Sequence, residues 1–151
     1  MNLSIIHLNI RSISSNIDQF IAYLATIEVD FDVICLSETW LNSDKPYDCY
    51  FPGYKSFHSM RSNRRGGGVA IYVKNRFNSS VIADLTQNCE YLECVFVEVG
   101  CGSRKVTIGA CYRPPSTNYD VFQHEICNKI SIIPSSDNCI ICGDFNIDLL
   151  K

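Results

Sequence analysis

Runs of apolar residues, broken by short polar stretches that end on functional side chains, divide the chain into strands and two helices. Leu3 to Ile10 is apolar, with His7 and Asn9 on one alternate face, so it reads as a strand ending in a polar site. Ser12 to Ser15 interrupt it, and Asn16 with Gln19 has the form of a helix start in which each side chain satisfies the other's free backbone amide. Ile17, Phe20, Ile21, Leu24 and Ile27 follow at helical spacing as one apolar stripe. Val33 to Leu36 is the next buried strand, and strand, helix and strand in succession predict a right-handed crossover.

Asn42 to Ser62 is polar and rich in aromatics and proline, a surface excursion with one short strand at Tyr54 to His58. Val69 to Val73, Tyr91 to Val99 and Lys105 to Tyr112 are β-branched and aromatic, and their succession without helices fits antiparallel pairing. Asn118 to Ile133 is the second helix, with Phe122, Ile126, Lys129, Ile130 and Ile133 along one side and Pro134 stopping it. Cys139 to Cys142 is an apolar run that reads as a buried final strand, and Gly143 is expected to turn the backbone before Asp144 and Asn146. Two helices and about six strands imply an α+β architecture, packed β layers with helices outside.

Composition narrows the class. Hydrophobic residues are 46% and charged residues 19% of the 151, an ordinary globular balance. The formal net charge of -3 argues against a domain that holds nucleic acid by bulk charge, but not against an enzyme that reaches phosphates through a metal. The amino terminus lacks the flank and apolar core of a signal peptide, so the nine cysteines read as reduced and the protein as intracellular. Cys35, Cys111 and Cys139 lie in apolar runs and read as small hydrophobes; Cys139 and Cys142 have zinc-like spacing, yet residues three apart on a strand face opposite sides. No stretch approaches the ~20 apolar residues of a membrane span, so no membrane partner is expected.

The candidate chemistry sits at strand ends. Asp144 and Asn146, two apart, would share one face while Phe145 takes the other, placing a carboxylate and a carboxamide where a hard cation and a phosphate can be held. Glu38 follows a buried run, either as a surface-loop acid or as a site residue that is paired or metal-bound. Tyr112 closes a strand before Pro114 and Pro115, either packing there or holding a phosphate oxygen. Arg61, Arg64 and Arg65 precede Gly66-Gly67-Gly68, which lacks the lysine and hydroxyl of a Walker loop. That segment reads as a solvated turn feeding the next strand; the alternative is that Arg64, Arg65 and the exposed amides steer a nucleic-acid backbone. His58 falls in the excursion, His124 on the second helix, and His7 reads as a core or cleft-edge residue.

Five segments, Leu8-Asn9-Ile10-Arg11-Ser12, Ser37-Glu38-Thr39-Trp40-Leu41, Gly66 to Val73, Tyr112-Arg113-Pro114-Pro115 and Gly143-Asp144-Phe145-Asn146-Ile147-Asp148, stand in an order that resembles the endonuclease/exonuclease/phosphatase superfamily. More narrowly, they resemble the apurinic-like endonuclease domain of non-LTR retrotransposons. The resemblance implies a DNase I-like four-layer α/β/β/α sandwich that cleaves phosphodiester bonds with Mg²⁺ or Mn²⁺. It implies Glu38 as a principal metal ligand with Asn9 beside it, Asp144 positioning or deprotonating water, Asn146 orienting phosphate or water, and Tyr112 contacting phosphate.

Members of that family continue to further strands, a later metal-binding aspartate and a Ser-Asp-His motif. Residues 1–151 therefore read as one domain truncated at its carboxyl end, with little nicking activity expected from the isolated chain. The leading expectation is a monomeric nuclease with a DNA substrate and no stable protein partner, requiring access to the nucleus if it acts on chromosomal DNA. The alternatives are a phosphatase or RNA phosphodiesterase built on the same metal site, and an inactive retroelement remnant.

Overall fold

A computed structural model of the chain describes residues 3–42, 50–61, 66–135 and 138–148. Its first sheet contains β1 (Ile5–Asn9), β2 (Val33–Ser37), β3 (Tyr54–Ser59) and β4 (Val69–Lys74), in the order β1-β2-β4-β3. The second contains β5 (Ser79–Val81), β6 (Gln87–Asn88), β7 (Glu93–Cys101), β8 (Arg104–Tyr112) and β9 (Asn138–Asp144). β1 and β2 are parallel across helix α1 (Ile13–Thr26), and β8 and β9 are parallel across helix α2 (Tyr119–Ile132); β7 and β8 form a long antiparallel pair.

The two-residue period of the strands sorts their side chains into separate cores. Val33 and Cys35 of β2, Val69, Ile71 and Val73 of β4, Val95, Val97 and Val99 of β7, and Ile108, Ala110 and Tyr112 of β8 meet between the sheets. The alternate residues Ile34, Leu36, Ala70 and Tyr72 face outward against Phe20 of α1. On the other side, Cys94, Phe96 and Cys111 face Phe122 of α2. The inner strands β2, β4, β7 and β8 are therefore apolar on both faces, and the result is a four-layer α/β/β/α sandwich.

Several expectations change. α1 begins at Ile13, a turn before the predicted cap, because the β1–β2 pairing runs on past the strands: Ile10 N–H donates to Ser37 O at 3.0 Å, Ser12 N–H to Glu38 O at 2.9 Å and Ile13 N–H to Thr39 O at 3.0 Å. Asn16 lies inside the helix and donates to the carbonyls of Ile10 and Arg11. α2 does start at Asn118, whose side chain accepts from Asp120 and Val121 N–H.

Ile21 and Ile130 are exposed, since each helix buries a stripe narrower than its apolar periodicity suggests. The short strands β5 and β6 carry no periodic signal and exist by pairing with the long β7. β9 is only partly covered: Cys139 and Ile140 are exposed, because β9 pairs on one side only among the described residues. Gly143 lies within β9 and makes no turn; a Cβ there would sit 1.9 Å from Cys111 O. Glycine is required at that point by the close approach of two strands.

Candidate active site

Four strands release polar side chains at one end of the space between the sheets. β1 ends on Asn9, β2 runs into Glu38, β8 ends on Tyr112 and β9 on Asp144. Register sets Asn9 opposite Ser37 and Tyr112 opposite Asp144. Asn9 shares the parity of Ile5, Tyr112 that of Ala110 and Asp144 that of Cys142, all residues packed between the sheets, so the three polar groups face one another where the apolar core stops.

Asn9 Nδ2 donates to Glu38 Oε1 at 2.8 Å and to Asp144 Oδ2 at 2.7 Å. The two carboxylate oxygens are thus no farther apart than the sum of those bonds, although the residues come from opposite ends of the chain. Asn9 Oδ1 accepts from Arg11 N–H at 3.2 Å, which fixes the amide with its amino group towards the acids. Asn9 is exposed and both acids are half-buried, so the group opens to solvent.

Glu38 is held in a strained loop. Its φ is 53° and that of Trp40 is 56°, a left-handed conformation that costs non-glycine residues and persists only under external restraint. The restraint is visible: Thr39 and Trp40 N–H donate to Gly68 O and Gly67 O at 3.2 and 2.8 Å, and Trp40 Nε1–H donates to Glu38 Oε2 at 3.3 Å. Gly67 and Gly68, at φ 68° and 82°, are buried.

Beneath them the fully buried Glu93 carboxylate accepts from Gly68 N–H and from the Arg61 guanidinium. The glycine run is therefore a packed brace for the Glu38 loop rather than a solvated turn, and the Gly68 amide offers nothing to a phosphate because Glu93 already occupies it. Glycine suits position 67 because its φ of 68° strains any L side chain, and a Cβ there would also push on the paired Arg61 and Glu93 side chains.

Asp144 is held from both sides. Its Oδ2 receives the Asn9 amide, and its Oδ1 accepts from Asn146 N–H at 3.1 Å. Asn146 lies beyond the strand, at φ 48°, so a turn and not strand alternation brings it beside Asp144. Its carboxamide donates to Arg113 O at 2.7 Å, while Phe145 packs outward on Phe122 with ring centres 6.0 Å apart. Tyr112 is buried, and its hydroxyl pKa is pushed up to about 12, first by burial and then by the Glu38 carboxylate. The phenol stays protonated at neutral pH and can act as a hydrogen-bond donor.

His7 Nε2 lies 3.2 Å from Ser37 Oγ; burial lowers its pKa, with Asp144 pulling the other way. His58, partly buried edge-on to Tyr72, is likewise lowered by burial, and His124 is exposed on α2. Arg64 and Arg65 lie outside the described residues. Cys139 is exposed where a buried hydrophobe was expected. The pairing of Trp40 with Glu38 and the contacts of Arg113 were not legible as site features; the only signal was their place inside the motifs of Glu38 and Tyr112.

Among the described residues no three His, Cys, Asp or Glu side chains cluster as metal ligands. Two carboxylates and a carboxamide around an opening to water nonetheless match a hard cation of the Mg²⁺ type, which takes one or two protein carboxylates and keeps several waters. The same donors do not make a zinc site, which favours thiolate and imidazole.

A profile of the endonuclease/exonuclease/phosphatase family matches residues 6–150. No curated protein matches the chain. Among solved structures, the endonuclease domain of TRAS1, a telomere-specific non-LTR retrotransposon, superposes with TM-score 0.72 at 16% identity over 98% of this chain and 62% of its own. An AP endonuclease from Archaeoglobus fulgidus gives TM-score 0.62 at 20% identity, covering 97% of this chain and 58% of its own. The 3′ phosphatase NExo from Neisseria, bound to a product DNA hairpin, gives 0.60 at 17% identity with the same coverages. The chain thus spans about three fifths of the length of these structures.

Proposed function

The chain belongs to the endonuclease/exonuclease/phosphatase family, and we propose that it serves metal-dependent phosphodiester hydrolysis, nicking DNA as a retroelement endonuclease does. The observation that carries the reading is the single Asn9 amide shared by Glu38 and Asp144. Two carboxylates held this close repel one another, and a divalent cation with its waters is the ligand that relieves the repulsion.

In this reading Glu38, with Asn9 beside it, would hold Mg²⁺ or Mn²⁺. When bound, the ion polarises the phosphate and offsets charge as the attacking water adds. Asp144, fixed by Asn9 and Asn146, accepts the proton of that water. Tyr112, kept as a phenol, donates to a non-bridging phosphate oxygen. Asn146 sits at the exposed rim and sets the Asp144 carboxylate through its backbone. Arg64 and Arg65 would contact the phosphate backbone, with DNA favoured by the likeness to the TRAS1 endonuclease domain. The likeness to a DNA 3′ phosphatase supports a second reading, removal of a terminal phosphate by the same residues.

Trp40, the sole tryptophan, reports on the site because its indole touches Glu38. Mn²⁺ should quench its fluorescence saturably, and Glu38→Gln should weaken that binding by on the order of tenfold or more, since it removes a charged ligand. Supercoiled plasmid, RNA and a 3′-phosphorylated duplex, offered with Mg²⁺, then separate the substrate readings; whatever turnover the chain gives should vanish in Asp144→Asn. Quenching that Glu38→Gln leaves unchanged would sink the metal site and the nuclease reading with it.

A further inference from the structure

Arg113 is one of the few charged residues buried in the described structure, with 8% of its surface exposed, and no step above uses it. A buried guanidinium away from a carboxylate is costly, so what it bonds is informative. Its Nη1 donates to the carbonyls of Asn146 at 2.8 Å and Phe145 at 3.3 Å. Its Nη2 donates to Thr117 O at 2.6 Å, one residue before the cap of α2.

The backbone of the same residue holds the same turn. Arg113 N–H donates to Asp144 O at 2.9 Å, and Arg113 O accepts the Asn146 carboxamide at 2.7 Å. The guanidinium also lies over Phe122, 6.0 Å from the ring centre, and Phe122 in turn packs on Phe145. A single residue therefore binds three successive positions, 144 to 146, and ties them to the start of α2. Asparagine tolerates the left-handed φ of 48°, and the Arg113 contacts select that conformation among those open to it, which keeps the Asn146 N–H on Asp144 Oδ1.

We infer that Arg113 is a positioning residue for Asp144: its guanidinium clamps the left-handed turn at Asn146 so that the Asp144 carboxylate points at Asn9 and Glu38. The inference deepens the metal-hydrolase reading and rests on it for its functional meaning. Lysine cannot replace the clamp, since one ammonium does not present the planar fork that reaches the 145–146 and 117 carbonyls together.

The test compares Arg113→Met and Arg113→Lys with the native chain. Hydrogen exchange at the Asn146 amide should accelerate by on the order of tenfold or more in Arg113→Met, and by less in Arg113→Lys, while amides of β7 keep their protection. The Mn²⁺ affinity read by Trp40 quenching should fall by on the order of tenfold in Arg113→Met, because the Asp144 carboxylate, whose charge favours a cation beside Glu38, is no longer held towards it. In an Asp144→Asn background the same substitution should leave the affinity unchanged, because the group being positioned is gone.

A residue that merely stabilises the fold would lower affinity equally in both backgrounds, and that result overturns the inference. Native exchange at Asn146 in both variants overturns it too. If the native chain shows no Glu38-dependent Mn²⁺ binding, the hydrolase reading fails on its own, and the exchange result still decides whether Arg113 holds the turn. Should Arg113→Met not fold, Arg113→Lys alone gives both readings.

Discussion

Gly143→Ala puts the strand contact beneath Asp144 to the test. The added Cβ would meet the Cys111 carbonyl oxygen at 1.9 Å, and both are backbone-bound, so no side chain can rotate away. Ordinary contact requires the strands to separate by more than an ångström, which carries neighbouring β8–β9 hydrogen bonds beyond bonding distance. Overpacking of this kind costs about 1 to 3 kcal/mol, and each ladder bond lost adds roughly 1. The substitution should therefore destabilise the chain by about 3 to 5 kcal/mol, a large part of a margin of ~5 to 15.

Urea unfolding followed by Trp40 fluorescence reads this directly. With a slope of ~1 to 3 kcal/mol per molar, the midpoint should fall by roughly 2 M. Gly102→Ala is the control: φ there is 66° but nothing lies within 4 Å, so it should cost only about 1 kcal/mol of backbone strain. The same displacement would also break the 2.7 Å bond from Asn9 to Asp144, so Mn²⁺ affinity should fall with stability. A Gly143→Ala midpoint equal to or above that of Gly102→Ala would refute the reasoning.

Four other outcomes are expected. Glu93→Gln leaves Arg61 without its buried counter-charge and loosens Gly68; it should cost on the order of 3 kcal/mol, less than a full broken buried pair because Arg61 keeps other contacts, and should shift Trp40 emission, whereas an unchanged unfolding midpoint would refute the brace. His7 and His58 have folded pKa values below their ordinary 6.5, so the unfolded chain binds more protons and stability should fall as pH drops below about 6.5; His58→Phe should flatten that slope in urea midpoints taken between roughly pH 7.5 and 5.5. Asp32, held low by Ser4 and Arg76 against its own burial, contributes stability in a separate window that is lost only as pH falls below its ordinary 3.8. Ultraviolet titration should show one tyrosine ionising near pH 12, assigned by its loss in Tyr112→Phe; ionisation of every tyrosine near pH 10 would show that burial and the Glu38 carboxylate do not act on the Tyr112 hydroxyl.

The strands, their parity and the polar residues at their ends were legible in the sequence, because a two-residue period and an apolar run on both faces depend on residues close along the chain. That sufficed to place Asn9, Glu38, Tyr112 and Asp144 at strand ends and to expect packed β layers with helices outside; the resemblance, not the pattern, implied that they form one group. The sequence misplaced the start of α1 because hydrogen bonds from Ser12 and Ile13 to the Glu38–Thr39 segment override the local cap. It also misread the glycine run as solvated, since the carboxylate that fills it, Glu93, comes from another sheet.

Only the tertiary structure decided that one Asn9 amide serves both acids and that Arg113 and Asn146 hold each other across a turn. Those bonds join residues up to 135 positions apart, and they exist only after two sheets have packed and their open ends have been brought level. Local pattern can say which side chains a strand will expose. Which of them meet is set by the register and packing of strands that the pattern describes one at a time.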